Sequence, residues 1–171
     1  MKKTIITVLL SSAVAFALNL GEIPKEVTLS GDNGSCVNGT AWNSTMLKGK
    51  TSLLLYVDPD KKDDTETFVE KLNAQNYPSD KFSSIAIINL KATWLPNFAI
   101  GKKLKEKQEH FPNTLYVKDE TKHLVKEWDL ADDSANTLIF NKEGKVIYSH
   151  VGEIKEDEMK KIFSIIEEGI K

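Results

Sequence analysis

The sequence predicts an α/β domain in which a mixed central sheet is flanked by helices. Two short runs, SLLLYV at 52–57 and SIAIIN at 84–89, are continuously apolar apart from polar residues at their ends, as in strands covered on both faces. Segments with apolar residues at helical spacing follow these runs. Because a helical crossover carries the chain back before the next strand begins, such strands pair in parallel.

The same two periodicities define the remaining elements. Phe68 and Leu72 lie on one face of a predicted helix, and Met159, Ile162 and Ile166 form an apolar stripe on the last one. The predicted elements in chain order are strand 52–57, helix 65–75, strand 84–89, helix 96–110, strand 114–118, a short helix at 120–127, strands 137–140 and 145–149, and helix 155–170.

Turn residues predict two antiparallel hairpins. Asn141-Lys142-Glu143-Gly144 separates the last two strands, and its glycine can adopt positive φ. Near the N-terminus, Gly31-Asp32-Asn33-Gly34 and Asn38-Gly39 favour tight turns. We therefore expect an N-terminal hairpin extension before the first core strand, with one short strand near 26–30.

The N-terminus has the pattern of a cleavable signal peptide. Lys2 and Lys3 precede an apolar stretch, and Ala15-Phe16-Ala17 matches a small-x-small cleavage site. We therefore divide the chain into a signal peptide, 1–17, and one domain, 18–171, exported to the periplasm. The apolar stretch is shorter than the roughly 20 residues that span a bilayer, so we favour cleavage over a retained membrane anchor.

All 23 basic residues are lysine. Cleavage after Ala17 removes two of these lysines and no acidic residue, which changes the formal net charge from −2 to −4. Arginine provides the bidentate contacts that proteins make with phosphates and base edges. A mildly acidic domain without arginine has no basic footprint, so we expect no nucleic-acid partner.

Three stretches resemble the thioredoxin superfamily, in its variant with an N-terminal hairpin. They are LKGK at 47–50, FPNTLYVKD at 111–119 and TLIFNKEGKVIYSHVG at 137–152. Ala41-Trp42-Asn43-Ser44 and Trp128-Asp129-Leu130 are similar to motifs of the YtfJ family, a group of small exported bacterial proteins. The resemblance implies a thioredoxin-like fold over nearly the whole mature chain, and it implies no established activity.

The sequence lacks both parts of a thioredoxin redox site. Active members of that superfamily place Cys-x-x-Cys after the first core strand, where a helix N-terminus lowers the pKa of the first thiol. Here Asp58-Pro59-Asp60-Lys61 follows that strand. Those enzymes also have a cis-proline before the closing hairpin, whereas Asn136 precedes Thr137 here. A cis bond without proline costs roughly 2.5–4 kcal/mol, so we expect a trans peptide and no thiol-disulfide exchange.

The single cysteine supports a different enzyme hypothesis. Cys36 would be the nucleophile of a one-cysteine peroxidase or reductase. No histidine, lysine or arginine lies within five residues of it, and a reactive thiolate needs such a neighbour or a helix start. We favour the interpretation that Cys36 is tolerated in the N-terminal hairpin.

Acidic residues cluster in two loops. Asp58 and Asp60 follow the first core strand, and Asp129, Asp132 and Asp133 precede the closing hairpin. The predicted topology brings both loops to the edge where ligands gather on such sheets. We therefore expect a ligand or partner surface at these five aspartates together with the neighbouring Trp128, forming a weakly acidic pocket for a cation or a basic partner group.

Two other interpretations of these loops remain. A cation could be held by Asp58, Asp60, Asp132 and Asp133, because carboxylate oxygens suit calcium or magnesium. However, the loop after the first core strand lacks the glycine and the glutamate of a calcium-binding loop. We favour solvated loops with carboxylates at helix starts, where the helix dipole stabilises them.

Tryptophan side chains could line a binding groove, but core packing is the default for Trp42, Trp94 and Trp128. Trp94 lies beside Pro96 and Phe98, so this cluster is the best candidate for an exposed one.

The sequence as a whole favours a non-catalytic binding or accessory protein of the periplasm. We expect no cofactor, and we expect the partner to be a periplasmic protein or a small ligand. The enzyme that uses Cys36 and the cation-binding protein are the alternatives.

Overall fold

The computed structural model describes residues 18–171 and shows strands alternating with helices in the predicted order. The predicted signal peptide, 1–17, lies outside the described residues. The strands are β1 Thr28–Leu29, β2 Gly34–Cys36, β3 Trp42–Asn43, β4 Thr51–Val57, β5 Phe82–Asn89, β6 Thr114–Asp119, β7 Ala135–Phe140 and β8 Val146–Val151. The helices are α1 Asp63–Ala74, α2 Asn97–His110, α3 His123–Trp128 and α4 Glu156–Gly169. Within residues 18–171, every helix is too short or too polar to span a bilayer.

β4 lies inside the main sheet, whose strand order is β2-β6-β5-β4-β7-β8. It pairs in parallel with β5, which in turn pairs in parallel with β6. On its other side β4 pairs antiparallel with β7, and the β7–β8 hairpin closes the sheet. All seven residues of β4 are buried, as its continuous apolar run predicted. The mixed central sheet is therefore confirmed, and the carboxyl ends of β4, β5 and β6 share one edge.

The N-terminal extension contains an antiparallel strand pair, but the two strands are joined by a longer segment than the tight turn of the predicted hairpin. β1 pairs with β3 and places Leu29 opposite Trp42, while the intervening β2 joins the edge of the main sheet beside β6. Gly34 allows β2 to pair so closely with β6, because a Cβ atom at this position would lie 1.9 Å from the carbonyl oxygen of Lys118. The glycine-rich segment therefore allows the close approach of the β2 and β6 backbones, and it forms a 3-10 turn just before β2.

One face of the sheet, which we name the closed face, is covered by α3 and the N-terminal segment. Its side chains form one continuous apolar cluster. Trp42 and Trp128 meet edge to face, with ring centroids 6.4 Å apart and planes at 71°. The Trp128 indole also donates to the carbonyl of Lys25 at 2.7 Å. These contacts fasten the N-terminal segment to α3.

The opposite face, which we name the open face, is covered by α1, α2 and α4. Its buried side chains form two separate clusters instead of one. α1 and α4 pack over β4, β7 and β8, whereas α2 packs over β5 and β6 through Ile100 and Leu104. Ile88 of β5 packs against both clusters. The gap between the two clusters is where the candidate site lies.

Candidate ligand-binding site

Asp58, the first residue after β4, joins the two acidic loops. Its backbone N–H donates to the Ser134 carbonyl at 3.1 Å, and the Ser134 N–H donates to Asp58 Oδ2 at 2.8 Å. The loop after β4 and the loop before β7 therefore lie against each other, as the topology predicted. Asp58 is fully buried, so for this residue the interpretation as a solvated loop carboxylate is wrong.

The surroundings of Asp58 disfavour its charged form. Burial raises the pKa of its carboxyl above the usual value, and the Asn89 side chain and the Ser134 N–H offset part of that increase. The charge of Asp132 raises this pKa further, and Lys122 lowers it. Asp58 Oδ1 has no hydrogen-bond partner of normal geometry, although Asn89 lies nearby. A buried carboxylate with an unpartnered oxygen costs folding free energy.

The other predicted site aspartates lie on the surface around Asp58. Asp132 Oδ2 is 2.6 Å from Lys122 Nζ, and this contact lowers the pKa of the Asp132 carboxyl. Asp60 is exposed, and its Oδ1 accepts a hydrogen bond from the hydroxyl of Thr93 at 3.3 Å. Asp129 and Asp133 are also exposed, and both have positive φ, 51° and 53°. Because a lysine neutralises one of these carboxylates, the edge is less acidic than the sequence predicted.

Metal ligation finds no support in this geometry. Among residues 18–171, no group of three or more His, Cys, Asp or Glu side chains is arranged to hold a metal ion. The four carboxylates of the cation hypothesis, Asp58, Asp60, Asp132 and Asp133, are thus not brought together as a ligand set.

Asp119, at the end of β6, is a buried carboxylate that the sequence reasoning missed. Its two oxygens accept the backbone N–H groups of Thr121, His123 and Leu124 at 3.1, 2.8 and 3.0 Å. The hydroxyl of Tyr56 donates to the same carboxylate at 3.1 Å, and burial together with the charge of Asp119 raises the pKa of that phenol. Asp119 therefore holds the start of α3 against the sheet. An aspartate that ends a strand just before a helix is the signal that predicts such a role.

A cavity of about 400 Å³ lies on the open face between α1 and α2. Its apolar lining includes Leu55 of β4, Ile88 of β5, and Ile100 and Leu104 of α2. The Asp58–Asp60 loop forms one end of the cavity, which therefore begins at the predicted edge of the sheet. Its volume lies in the range of about 300–1,000 Å³ that is typical of small-molecule sites. The sequence predicted an acidic ligand surface at this edge but not the apolar cavity behind it, because each of the apolar lining residues also suits a closed core.

Trp128 was predicted on the ligand or partner surface, and this prediction is wrong. Its side chain is only 2% exposed and packs between Trp42 and Phe140 on the closed face. Trp42 is buried as well, so core packing is confirmed for both residues. Trp94 and Phe98 are instead 86% and 82% exposed, which confirms that cluster as the exposed one and overturns the core default for Trp94.

Cys36 lies on β2 and is 3% exposed. Its side chain belongs to the apolar cluster of the closed face, on the other side of the sheet from the cavity. A peroxide or disulfide substrate must reach the sulfur atom to react with it. The position of Cys36 therefore does not favour the single-cysteine enzyme.

The strand order, the flanking helices and the N-terminal extension define a thioredoxin-like fold. The chain is similar to the exposed lipoprotein thioredoxin Etrx1 of Streptococcus pneumoniae, at 16% identity over 84% of this chain and 99% of that one, with a TM-score of 0.58. It is also similar to the thioredoxin domain of the thiol-disulfide oxidoreductase BVU-2223 of Bacteroides vulgatus, at 14% identity over 87% and 99% of the two chains, with a TM-score of 0.63. Likeness at this level of identity shows the fold alone.

Residues 21–169 match the family model YtfJ_HI0045, which is described as a bacterial protein of unknown function, and the chain belongs to that family. It is 20% identical to the uncharacterized protein YtfJ of Escherichia coli strain K12, over 76% of this chain and 72% of that protein. Thus the resemblance to the YtfJ family is confirmed.

Proposed function

We propose that this protein is a non-catalytic binding protein of the bacterial periplasm, and that a small ligand occupies the cavity between α1 and α2. The observation that carries the proposal is the cavity itself, which begins at the loop after β4. That loop, Asp58-Pro59-Asp60-Lys61, contains no sulfur, and the single thiol is buried on the opposite face.

The buried carboxylate of Asp58 gives the proposal a second support. A residue that costs folding free energy is more common at a functional site than in an ordinary core. Asp58 also ties the loop that ends the cavity to the segment before β7, through its two hydrogen bonds with Ser134. The residue that lowers the stability of the fold is therefore also one that fixes the position of the loop at the end of the cavity.

The binding role is tested by native mass spectrometry of protein purified without denaturant from the periplasm. We expect a bound small molecule on the wild-type protein and its loss in Ala86→Leu, because Ala86 lines the cavity. Ala74→Leu is the matched control, since Ala74 is exposed at the end of α1. Equal ligand occupancy in wild type and Ala86→Leu would contradict the proposal.

Two further measurements test the remaining parts of the proposal. Periplasmic export predicts Leu18 as the N-terminal residue of the mature protein, which N-terminal sequencing of a periplasmic fraction determines. Peroxide consumption by the wild-type protein that disappears in Cys36→Ser would show an enzyme and overturn the non-catalytic assignment.

A further inference from the structure

We propose that the cavity binds an amphiphile with one apolar chain and one anionic head group, of the fatty-acid carboxylate class. This inference rests on the proposed binding function and specifies the ligand. It follows from the apolar lining of the cavity, from the position of two lysines along it, and from the distribution of carboxylates at its other end.

An apolar chain suits the interior because the cavity separates two hydrophobic clusters. Leu55 belongs to the cluster under α1 and α4, Leu104 belongs to the cluster under α2, and Ile88 touches both. All three residues line the cavity. A chain placed between them would remove apolar surface from water on both sides and join the clusters.

Lys103 and Lys107 supply the positive charge. They lie one turn apart on α2 and line the cavity together with Ile100 and Leu104, so the apolar stripe and the lysines share one side of the helix. Neither lysine has a carboxylate within 4 Å among residues 18–171, although other lysines of the chain do. Their long apolar stems can cover the chain of a ligand while the ammonium groups contact its head group.

The carboxylates indicate which way the ligand lies. Asp60 and Glu66 line the cavity near the start of α1, at the edge where β4 ends. Lys62 lines the same end, but its ammonium group is paired with Asp63 at 2.9 Å. α2 starts near that edge and returns the chain to the start of β6, so Lys107 lies toward the opposite end. Repulsion by the carboxylates and attraction by the lysines therefore place an anionic head group beside Lys103 and Lys107. The apolar chain then extends toward the Asp58–Asp60 loop.

Decanoate and decanol, titrated into the mature protein and followed by calorimetry, test the head group. We expect decanoate to bind about tenfold more tightly than decanol, as a charge-assisted contact to one head group would provide. In Lys103→Gln/Lys107→Gln this preference should vanish. The matched control is Lys102→Gln/Lys105→Gln, which removes the same charge from the same helix but from residues that do not line this cavity. The control should retain the preference.

The outcomes separate this inference from the binding function. Equal affinity for decanoate and decanol would overturn the anionic class of ligand, and so would equal weakening of decanoate binding by the two double lysine substitutions. If Ala86→Leu abolished binding in the same experiments, the proposed binding function would stand. If neither compound bound and the purified protein carried no ligand, the proposed function would fail together with the inference.

Discussion

The two faces of the sheet solve the same packing problem differently. On the closed face, α3 and the N-terminal segment bury Trp42 and Trp128 in one continuous cluster. On the open face, α1 and α2 pack on different strands and leave a cavity of about 400 Å³ between their clusters. Because the chain has one cysteine and no internal disulfide, its stability depends on apolar packing. Both faces bury apolar clusters, but among residues 18–171 only the open face leaves a cavity between two of them, and this is the cavity that the proposed function assigns to a ligand.

Two buried aspartates repeat this contrast at the edge of the sheet. Asp119 accepts four hydrogen bonds and anchors α3 on the closed face. Asp58 ends β4 with one oxygen unpartnered, and its loop borders the cavity. A fully bonded carboxylate supports the fold, whereas an incompletely bonded one reduces stability. Substitutions at these positions should therefore have opposite consequences.

The largest effect is expected for Trp128→Ala. This change leaves a cavity beside Trp42 and Phe140 and removes the hydrogen bond to the Lys25 carbonyl. We expect a loss of about 3–5 kcal/mol in the free energy of unfolding, measured by urea denaturation. Trp94→Ala is the matched control and should change stability by less than about 0.5 kcal/mol, because that side chain is exposed. A similar loss in both variants would break the distinction between the faces.

Asp119→Ala should have a smaller but clear effect. It leaves the N–H groups at the start of α3 and the Tyr56 hydroxyl without their acceptor. We expect a loss of about 2–3 kcal/mol in urea denaturation, in the range for unsatisfied buried donors and lost helix caps. Asp119→Asn keeps one acceptor oxygen and should lose less. A loss in Asp119→Asn as large as that in Asp119→Ala would show that the acceptor oxygens are not the cause.

Asp58→Asn is expected to have the smallest effect, and one that depends on pH. The folded chain raises the pKa of Asp58, chiefly through burial, so its contribution to stability is present below the unfolded pKa and lost as pH rises through the folded pKa. Asparagine does not ionise and avoids this loss. The melting temperature of Asp58→Asn relative to wild type should therefore rise as the pH increases above about 4.

Asp133→Asn provides the control for this pH dependence. Asp133 is exposed in the loop before β7, so its substitution should give a difference in melting temperature that varies much less with pH. A difference for Asp58→Asn that falls as pH rises would contradict the assigned direction of the Asp58 pKa.

Much of the fold could be predicted because its signals are local. The continuous apolar run of β4 and the apolar stripe of α4 each determine an element within one window of sequence. The pairing of Leu29 with Trp42 depends instead on contacts across a segment that itself joins another sheet. Turn residues alone do not specify that arrangement.

The candidate site was less predictable for physical reasons. Topology places Asp58 beside the loop before β7, and this could be predicted from the strand order. Pro96 beside Trp94 indicated the exposure of that tryptophan, but the aspartates around Trp128 also suggested a surface position for that residue, which is buried. The cavity depends on the separation between α1 and α2, which is a property of packing and not of either helix alone.

The most direct test of the difference between the faces is methyl NMR of the mature protein during titration with decanoate. We predict shifts in the methyl signals of Ile88, Ile100 and Leu104, which line the cavity on the open face. The signals of Ile87 and Leu124, which lie in the closed-face cluster, should remain in place. Shifts centred on Ile87 and Leu124, or no saturable shift at any of these methyl groups, would contradict the assignment of the open face as the ligand site.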